Sequence, residues 1–161
     1  SIYRLAIGQQ QPYPLSTVVQ WYSRVASGRR TVINFDDSIS SRPMSMDTAR
    51  LKTFRSVFHT VLNGTAVKVG VALSHAGIDS RDFFCKTGTA ESASHAFNAS
   101  SSFIIADQDH TIAIMLSGRI PRNDEGLAAK DLFVKILPLL LKYHILQTRW
   151  PDALTAGNIK P

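Results

Sequence analysis

The residues best suited to chemistry lie together in one short segment, residues 83–90, which reads FFCKTGTA. Two aromatic residues and a cysteine are followed by a lysine, a threonine, a glycine and a second threonine. The aromatic and β-branched residues of the segment predict a strand. On a strand, Lys86 and Gly88 lie on one face and Thr87 and Thr89 on the other. A twist at the strand edge would still let the Lys86 ammonium and the Thr87 hydroxyl reach one anion.

These groups suit the binding of a carboxylate beside a developing oxyanion. Lys86 and Thr87 offer an ammonium and a hydroxyl to a carboxylate. Gly88 has no Cβ, so a ligand can lie directly against the backbone there. The backbone N–H of Thr89 would then donate to an oxyanion. The segment therefore predicts acyl transfer from a peptide that ends in a free carboxylate.

The sequence KTGTA at residues 86–90 resembles the Lys-Thr-Gly motif of class B penicillin-binding proteins, the D,D-transpeptidases of bacterial cell-wall synthesis. Three other regions fall in the order of that family. They are the IGQ of residues 7–9 with the LST of residues 15–17, the LNGTA of residues 62–66, and the hairpin and closing helix predicted after Ala90.

The resemblance implies a role for each residue of the motif. Lys86 and Thr87 would bind the carboxylate of a peptidoglycan D-Ala-D-Ala stem peptide or of a β-lactam antibiotic. Gly88 would allow its approach, and the Thr89 N–H would form half of the oxyanion hole. The resemblance implies no cofactor. It implies a location in the bacterial periplasm or at the outer face of the cytoplasmic membrane, with an anchoring segment before this sequence and other cell-wall synthesis proteins as partners.

The nucleophile of that family is missing from the sequence. No serine is followed by a lysine three positions later, and no Ser-x-Asn occurs. Serine attack needs a base to take the hydroxyl proton, so we expect no acyl-enzyme on this chain alone. In the family both motifs precede the IGQ segment. The nucleophile is therefore expected before Ser1, in an upstream portion of the same protein.

Other functions remain open on the sequence. One is a non-catalytic cell-wall scaffold or binding protein with the same fold, and another is a class D-like β-lactamase or a β-lactam sensor. The formal charge of +6, from 18 Lys+Arg and 12 Asp+Glu, also allows a nucleic-acid-binding module. Nucleic acid is not expected as a partner, because aromatic residues and arginines are not interleaved as single-strand binders require.

Metal and disulfide chemistry are not expected. The five histidines show no HExxH or paired spacing, and a single cysteine cannot form an internal disulfide. That cysteine, Cys85, is predicted to be a small buried hydrophobic residue. A reactive thiol next to Lys86 is the alternative.

The fold class predicted from the order of elements is α+β, an antiparallel sheet flanked by helices. With the resemblance, it becomes the C-terminal portion of a penicillin-binding transpeptidase (serine β-lactamase-like) fold. We assign residues 1–147 to this portion of a domain and residues 148–161 to an extended tail. The length of 161 residues, 44% hydrophobic, suits one domain, and no apolar run approaches the ~20 residues of a membrane span.

Helices are predicted from capping residues and apolar spacing. The first spans residues 15–27, with Ser16 or Thr17 as its N-cap and Gly28 after its end. The second begins at Asp47, ends at Gly64 and carries one apolar face, formed by Leu51, Phe54, Val57, Phe58, Val61 and Leu62. A third covers residues 65–76. The last begins at Asn123, runs to Leu146 and is bent or split at Pro138.

Strands are predicted at residues 31–35, 83–90, 100–106 and 111–118. Residues 107–110, between the last two strands, form a polar link of turn length, which predicts an antiparallel hairpin. Residues 36–43 are predicted to be a polar loop.

Overall fold

Two antiparallel sheets and four α-helices make up the described part of the chain. The computed structural model describes residues 14–33, 39–43, 47–91, 96–122 and 126–146. The helices are α1 (Leu15–Ser27), α2 (Thr48–His59), α3 (Val67–His75) and α4 (Ala129–Lys142), with short 3₁₀ helices at Thr60–Asn63 and Ser80–Asp82. The strands are β1 (Arg29–Ile33), β2 (Ile39–Pro43), β3 (Phe84–Glu91), β4 (Phe97–Ala106) and β5 (Thr111–Pro121). The predicted α+β class is confirmed at this level.

The main sheet has the strand order β3-β4-β5, and both pairs are antiparallel. The predicted hairpin between β4 and β5 is confirmed. In its turn, the Asp107 carboxylate accepts hydrogen bonds from the backbone N–H groups of Asp109 and His110. This local satisfaction of backbone donors is the reason that aspartate suits a tight turn.

One face of the main sheet packs against α3 and α4. The alternation of the strands directs Cys85, Phe103 and Ile105 to this face. The Phe103 ring lies 5.3 Å, between centroids, from that of Phe133 on α4. We call this the α3/α4 core; its other buried members are Leu62, Ala66, Val69, Leu73, Ile78, Phe83, Ala129, Leu137 and Leu146.

The opposite face of the main sheet packs against α1. Phe84, Ile104 and Ala106 point to this face and contact Tyr22, Val25 and Ala26 of the helix. We call this the α1 core. Aromatic rings of Trp21, Tyr22, Phe54, Phe58 and Phe84 extend it toward α2 through edge-on, tilted and stacked contacts.

The prediction of a polar loop over residues 36–43 is wrong in its second half. Residues 39–43 form β2, which pairs with β1 from Arg29 opposite Pro43 to Ile33 opposite Ile39. The backbone ladder makes this strand despite its polar sequence, and β1 begins two residues before the predicted start. Residues 34–38 lie outside the described residues.

The predicted N-cap of α1 is wrong, whereas its C-terminal end is confirmed. Pro14 is the N-cap, no side chain caps the helix, and the Thr17 N–H donates to the Pro14 carbonyl at 2.9 Å. At the other end Gly28 has φ of +70°, and its N–H donates to the Arg24 carbonyl at 2.9 Å. That left-handed conformation is one that glycine adopts without steric cost.

The start of α2 is predicted correctly, but its apolar face is buried only in part. The Asp47 carboxylate accepts from the Ala49 N–H at 2.9 Å, as an N-cap does. Leu51 and Leu62 are buried, whereas Phe54 is 44% exposed and Val57 is 58% exposed. The helix also tightens to a 3₁₀ turn after His59 instead of continuing to Gly64.

The closing helix begins later than predicted. Asn123 lies outside the described residues, and α4 starts at Ala129, whose N–H donates to the Ser101 hydroxyl on β4 at 3.0 Å. The helix is continuous through Pro138, so of the two predicted alternatives the split is wrong and the bend stays a prediction. It ends at Lys142 rather than Leu146. None of the described helices is both long and apolar enough to cross a bilayer.

Candidate functional site

The segment singled out by its chemistry forms β3, which is an edge strand of the main sheet. Its neighbour is β4, and among the described residues no strand pairs with its other edge. Lys86 lies opposite Ile104, and Gly88 lies opposite Ser102. Residues 86–89 therefore border one open edge. The predicted alternation is kept: Lys86 and Gly88 lie on the α1 face, and Thr87 and Thr89 lie on the α3/α4 face.

Two contacts show which way the backbone of β3 points. The Phe83 carbonyl accepts a hydrogen bond from His59 Nδ1 at 2.8 Å, and the Thr87 carbonyl contacts the Lys86 ammonium. Neither partner belongs to β4. Because successive residues of a strand alternate the side to which their N–H and C=O point, Thr89 directs its N–H away from β4, toward the open edge.

The Lys86 ammonium lies at this edge rather than over the face of the sheet. It donates to the carbonyl of the next residue, Thr87. The side chain is half-buried, and this burial lowers the pKa of Lys86, against a smaller opposing effect of Cys85. Among the described residues no carboxylate forms an ion pair with it.

The Thr87 hydroxyl contacts Thr65, a residue outside the motif. Its Oγ1 lies 3.0 Å from Oγ1 of Thr65, in the turn that precedes α3. The Thr65 carbonyl in turn accepts from Lys130 Nζ at 2.7 Å. The sequence points to residues 62–66 only through the family resemblance. Nothing in the position of Lys130 along the chain predicts its contact with Thr65.

Packing within the sheet gives a further reason for glycine at position 88, whereas the approach of a ligand there stays a prediction. A Cβ at this position would lie 2.4 Å from the Ser102 hydroxyl oxygen across the strand pair, closer than Cβ atoms approach an oxygen. Ser102 therefore lies against Gly88 on the α1 face. A side chain at position 88 would therefore force the Ser102 hydroxyl to move.

Cys85 is fully buried in the α3/α4 core. Burial raises the pKa of its thiol to about 12, and the opposing effect of Lys86 is smaller. A thiol with so high a pKa stays protonated near neutral pH and is a poor nucleophile. The prediction of a small buried residue is confirmed, and this burial argues against the alternative of a reactive thiol.

A shallow depression of about 290 Å³ lies next to the motif but does not include it. Arg55, Ser56, His59 and Arg81 contribute to its lining, together with residues 82–84. The Arg81 guanidinium is held by Asp79 at 2.6 Å, and Arg55 Nε donates to the Val25 carbonyl at 2.9 Å. These cations are thus committed to contacts within the protein, and the open edge of β3 stays the better candidate site.

Comparison with known proteins does not identify the chain: no family model matches it, and no curated protein matches it significantly. Within the described ranges, no group of three or more His, Cys, Asp or Glu side chains is placed to hold a metal ion. The candidate site therefore consists of Lys86, Thr87, Thr89 and Thr65, with Lys130 behind them.

Proposed function

We propose that this chain is the substrate-binding part of a peptidoglycan D,D-transpeptidase. In this proposal it forms the C-terminal portion of a transpeptidase domain of the penicillin-binding, serine β-lactamase-like class. The KTGTA motif supports it, together with the order of the flanking segments. The observation that carries it is the position of the motif on an open strand edge, with the Thr89 N–H directed outward.

The geometry suits an extended peptide laid along β3. A peptide added to a free strand edge gains backbone hydrogen bonds, while its side chains and terminus are read by neighbouring groups. A terminal carboxylate would accept from the Thr87 hydroxyl and be attracted by the Lys86 ammonium. The carbonyl of the preceding residue would then lie toward the Thr89 N–H, which stabilises the oxyanion of acyl transfer.

The attacking serine and its base would come from the portion of the protein that precedes this sequence, as in the family that the motif resembles. This chain would then bind D-Ala-D-Ala stem peptides and β-lactams without being acylated by them. The same proposal implies that the protein acts in the periplasm or at the outer face of the cytoplasmic membrane, with other cell-wall synthesis proteins as partners.

Peptide binding tests the carboxylate site directly. The 161-residue chain is titrated with diacetyl-L-Lys-D-Ala-D-Ala and with the same peptide as its C-terminal amide, and NMR shifts report the affinity. We expect the carboxylate form to bind more tightly. Thr87→Val should weaken its binding about tenfold, as expected for a hydrogen bond to a charged group. Equal affinity for the two peptides would contradict the proposal.

A matched control is Thr60→Val, because the Thr60 hydroxyl donates to the Val57 carbonyl at 2.6 Å and lies outside the motif. It should bind the peptide as the unchanged chain does.

Acylation tests the origin of the nucleophile. Labelled penicillin should add no mass to this chain, whereas the chain extended by its preceding coding sequence should gain one penicillin per molecule. An adduct on the isolated chain would refute the missing nucleophile. No adduct on the extended protein would favour a non-catalytic scaffold, and rapid turnover of a chromogenic cephalosporin would favour a β-lactamase.

A further inference from the structure

Three residues that are distant in sequence meet beside the motif. Thr87 lies on β3, Thr65 in the turn before α3, and Lys130 in the first turn of α4. The two hydroxyl oxygens are 3.0 Å apart, and Lys130 Nζ lies 2.7 Å from the Thr65 carbonyl oxygen. Thr65 therefore links the motif on one side to a second lysine on the other.

The Thr65 and Thr87 hydroxyls have one O–H donor left over after they hydrogen-bond to each other. Each threonine carries one O–H donor, and a single hydrogen bond joins the pair. Whichever oxygen accepts in that bond keeps its own proton for another acceptor. Among the described residues neither hydroxyl has a further partner, and the Thr65 side chain is exposed. An anion that approaches the pair would accept a hydrogen bond from this hydroxyl.

Two lysines contact the backbone of the pair, Lys86 at the Thr87 carbonyl and Lys130 at the Thr65 carbonyl. Within the described part of the chain no carboxylate forms an ion pair with Lys86 or Lys130. Each ammonium donates one hydrogen bond to a backbone carbonyl and has two more protons to give. The nearest acid along the helix, Asp131, is buried, and its carboxylate accepts from the Ala128 N–H at 3.3 Å.

We infer that Thr65 and Lys130 are further binding residues for the peptide carboxylate. The inference rests on the proposed function, which assigned that carboxylate to Lys86 and Thr87 alone. The carboxylate lies on the face of Thr87 and Thr89, where Thr65 supplies a second hydroxyl. Lys130 supplies the cation on that face, and Lys86 approaches from the strand edge.

The test is a set of variants titrated with diacetyl-L-Lys-D-Ala-D-Ala and with its C-terminal amide. Thr65→Val and Lys130→Ala should each weaken carboxylate binding about tenfold and leave amide binding unchanged. Thr65→Ser keeps the hydroxyl and should retain the affinity. A matched control is Lys135→Ala, because Lys135 is on the same helix and donates to the Gly126 carbonyl at 3.1 Å.

The outcomes separate this inference from the proposed function. Selective loss in Thr65→Val and Lys130→Ala, with Lys135→Ala unchanged, supports the inference. Unchanged binding by Thr65→Val and Lys130→Ala, while Thr87→Val loses affinity, overturns it and leaves the proposed function standing. Equal losses in Lys130→Ala and Lys135→Ala overturn it as well, because they indicate net charge alone. If the unchanged chain binds the carboxylate peptide and its amide equally well, the inference and the proposed function are both overturned.

Discussion

The two faces of the main sheet are covered to different depths. On the face toward α3 and α4, Phe103 and Phe133 are completely buried. On the face toward α1, the aromatic cluster reaches the surface, where Trp21 is 42% exposed and Phe54 is 44% exposed. Two helices lie over the first face, whereas α1 lies over the second and α2 packs at its border, where Phe58 contacts Phe84.

This difference shows that apolar content alone does not decide which side of a sheet carries the stability. Both faces present aromatic or aliphatic side chains, but the free energy gained depends on the area removed from water. The face that holds Thr87 and Thr89 is backed by the better-buried core. The face that holds Lys86 and Gly88 is backed by the α1 core, which is less completely buried. The two faces of the motif therefore differ in how well the core behind them is shielded from water.

The largest effect should follow from emptying the α3/α4 core. Phe133→Ala removes a ring that packs on Phe103 with a centroid distance of 5.3 Å, and we expect a loss of about 3–5 kcal/mol in the free energy of unfolding. Urea denaturation measures it. Leu139→Ala on the same helix, at an exposed position, should change stability by about 0.5 kcal/mol or less. Similar losses in the two variants would contradict the comparison.

A smaller loss is expected where β3 meets β4 on the α1 face. Gly88→Ala places a Cβ against the Ser102 hydroxyl, and the resulting strain should cost about 1–3 kcal/mol. Removal of that hydroxyl should relieve the strain, because the Ser102 Cβ lies 3.8 Å from the same point. The double variant with Ser102→Ala should therefore be about as stable as Ser102→Ala alone. An unrelieved loss in thermal denaturation would indicate another role for Gly88.

Alkaline pH should weaken the α3/α4 core through one thiol. Burial raises the pKa of Cys85 from 9.0 to about 12, so the unfolded chain releases this proton at a lower pH than the folded chain. The stability is present below pH 9 and falls as the pH rises toward 12. Between pH 8 and 10.5 the unchanged protein should lose about 1–2 kcal/mol more than Cys85→Ala.

Denaturation at each pH measures this difference. Burial, with a smaller contribution from Cys85, also raises the pKa of Tyr22. Up to pH 10.5 Tyr22 and Cys85 are both protonated in the folded protein, so the release of the tyrosine proton on unfolding is common to the two proteins. Parallel pH profiles would show that the thiol is not shielded from water.

The smallest effect should come from the exposed border of the aromatic cluster. Phe54 touches Trp21 edge-on with centroids 6.5 Å apart, so Phe54→Ala should cost about 1 kcal/mol or less. Phe84→Ala, which removes a buried ring from the same cluster, should cost about 3 kcal/mol. Urea denaturation of the pair measures how steeply burial falls across this face. Equal losses would show that the border is covered in solution.

The parts of the fold that follow from local signals were predicted well. The helix ending at Gly28, the Asp47 cap and the β4–β5 hairpin each depend on residues close together in the chain. The apolar face of α2 shows the limit of such reasoning. Periodicity indicates which face of a helix is apolar, but it does not show whether another element covers Phe54 and Val57. Strand β2 was missed because its pairing, not its composition, makes it a strand.

In the candidate site, too, the features that local geometry determines can be predicted from the sequence, whereas the long-range contacts cannot. The alternation along β3 placed Lys86 and Thr87 on opposite faces correctly, since strand geometry alone determines it. The contacts of Thr65 and Lys130 depend on how α3 and α4 pack onto the sheet, which no spacing within residues 83–90 encodes. Ser102 is the third example: only the register of β3 against β4 reveals that it fills the space above Gly88.

The strand order of the main sheet has a consequence for how quickly the molecule assembles. Each strand neighbours the one before it in the chain, and only residues 107–110 separate β4 from β5. Short closures cost little entropy, and proteins rich in such local pairings fold fast. We expect the meander and α4 to condense early. The arrival of α1, whose partners on the sheet lie far along the chain, would then be the late step that limits the folding rate.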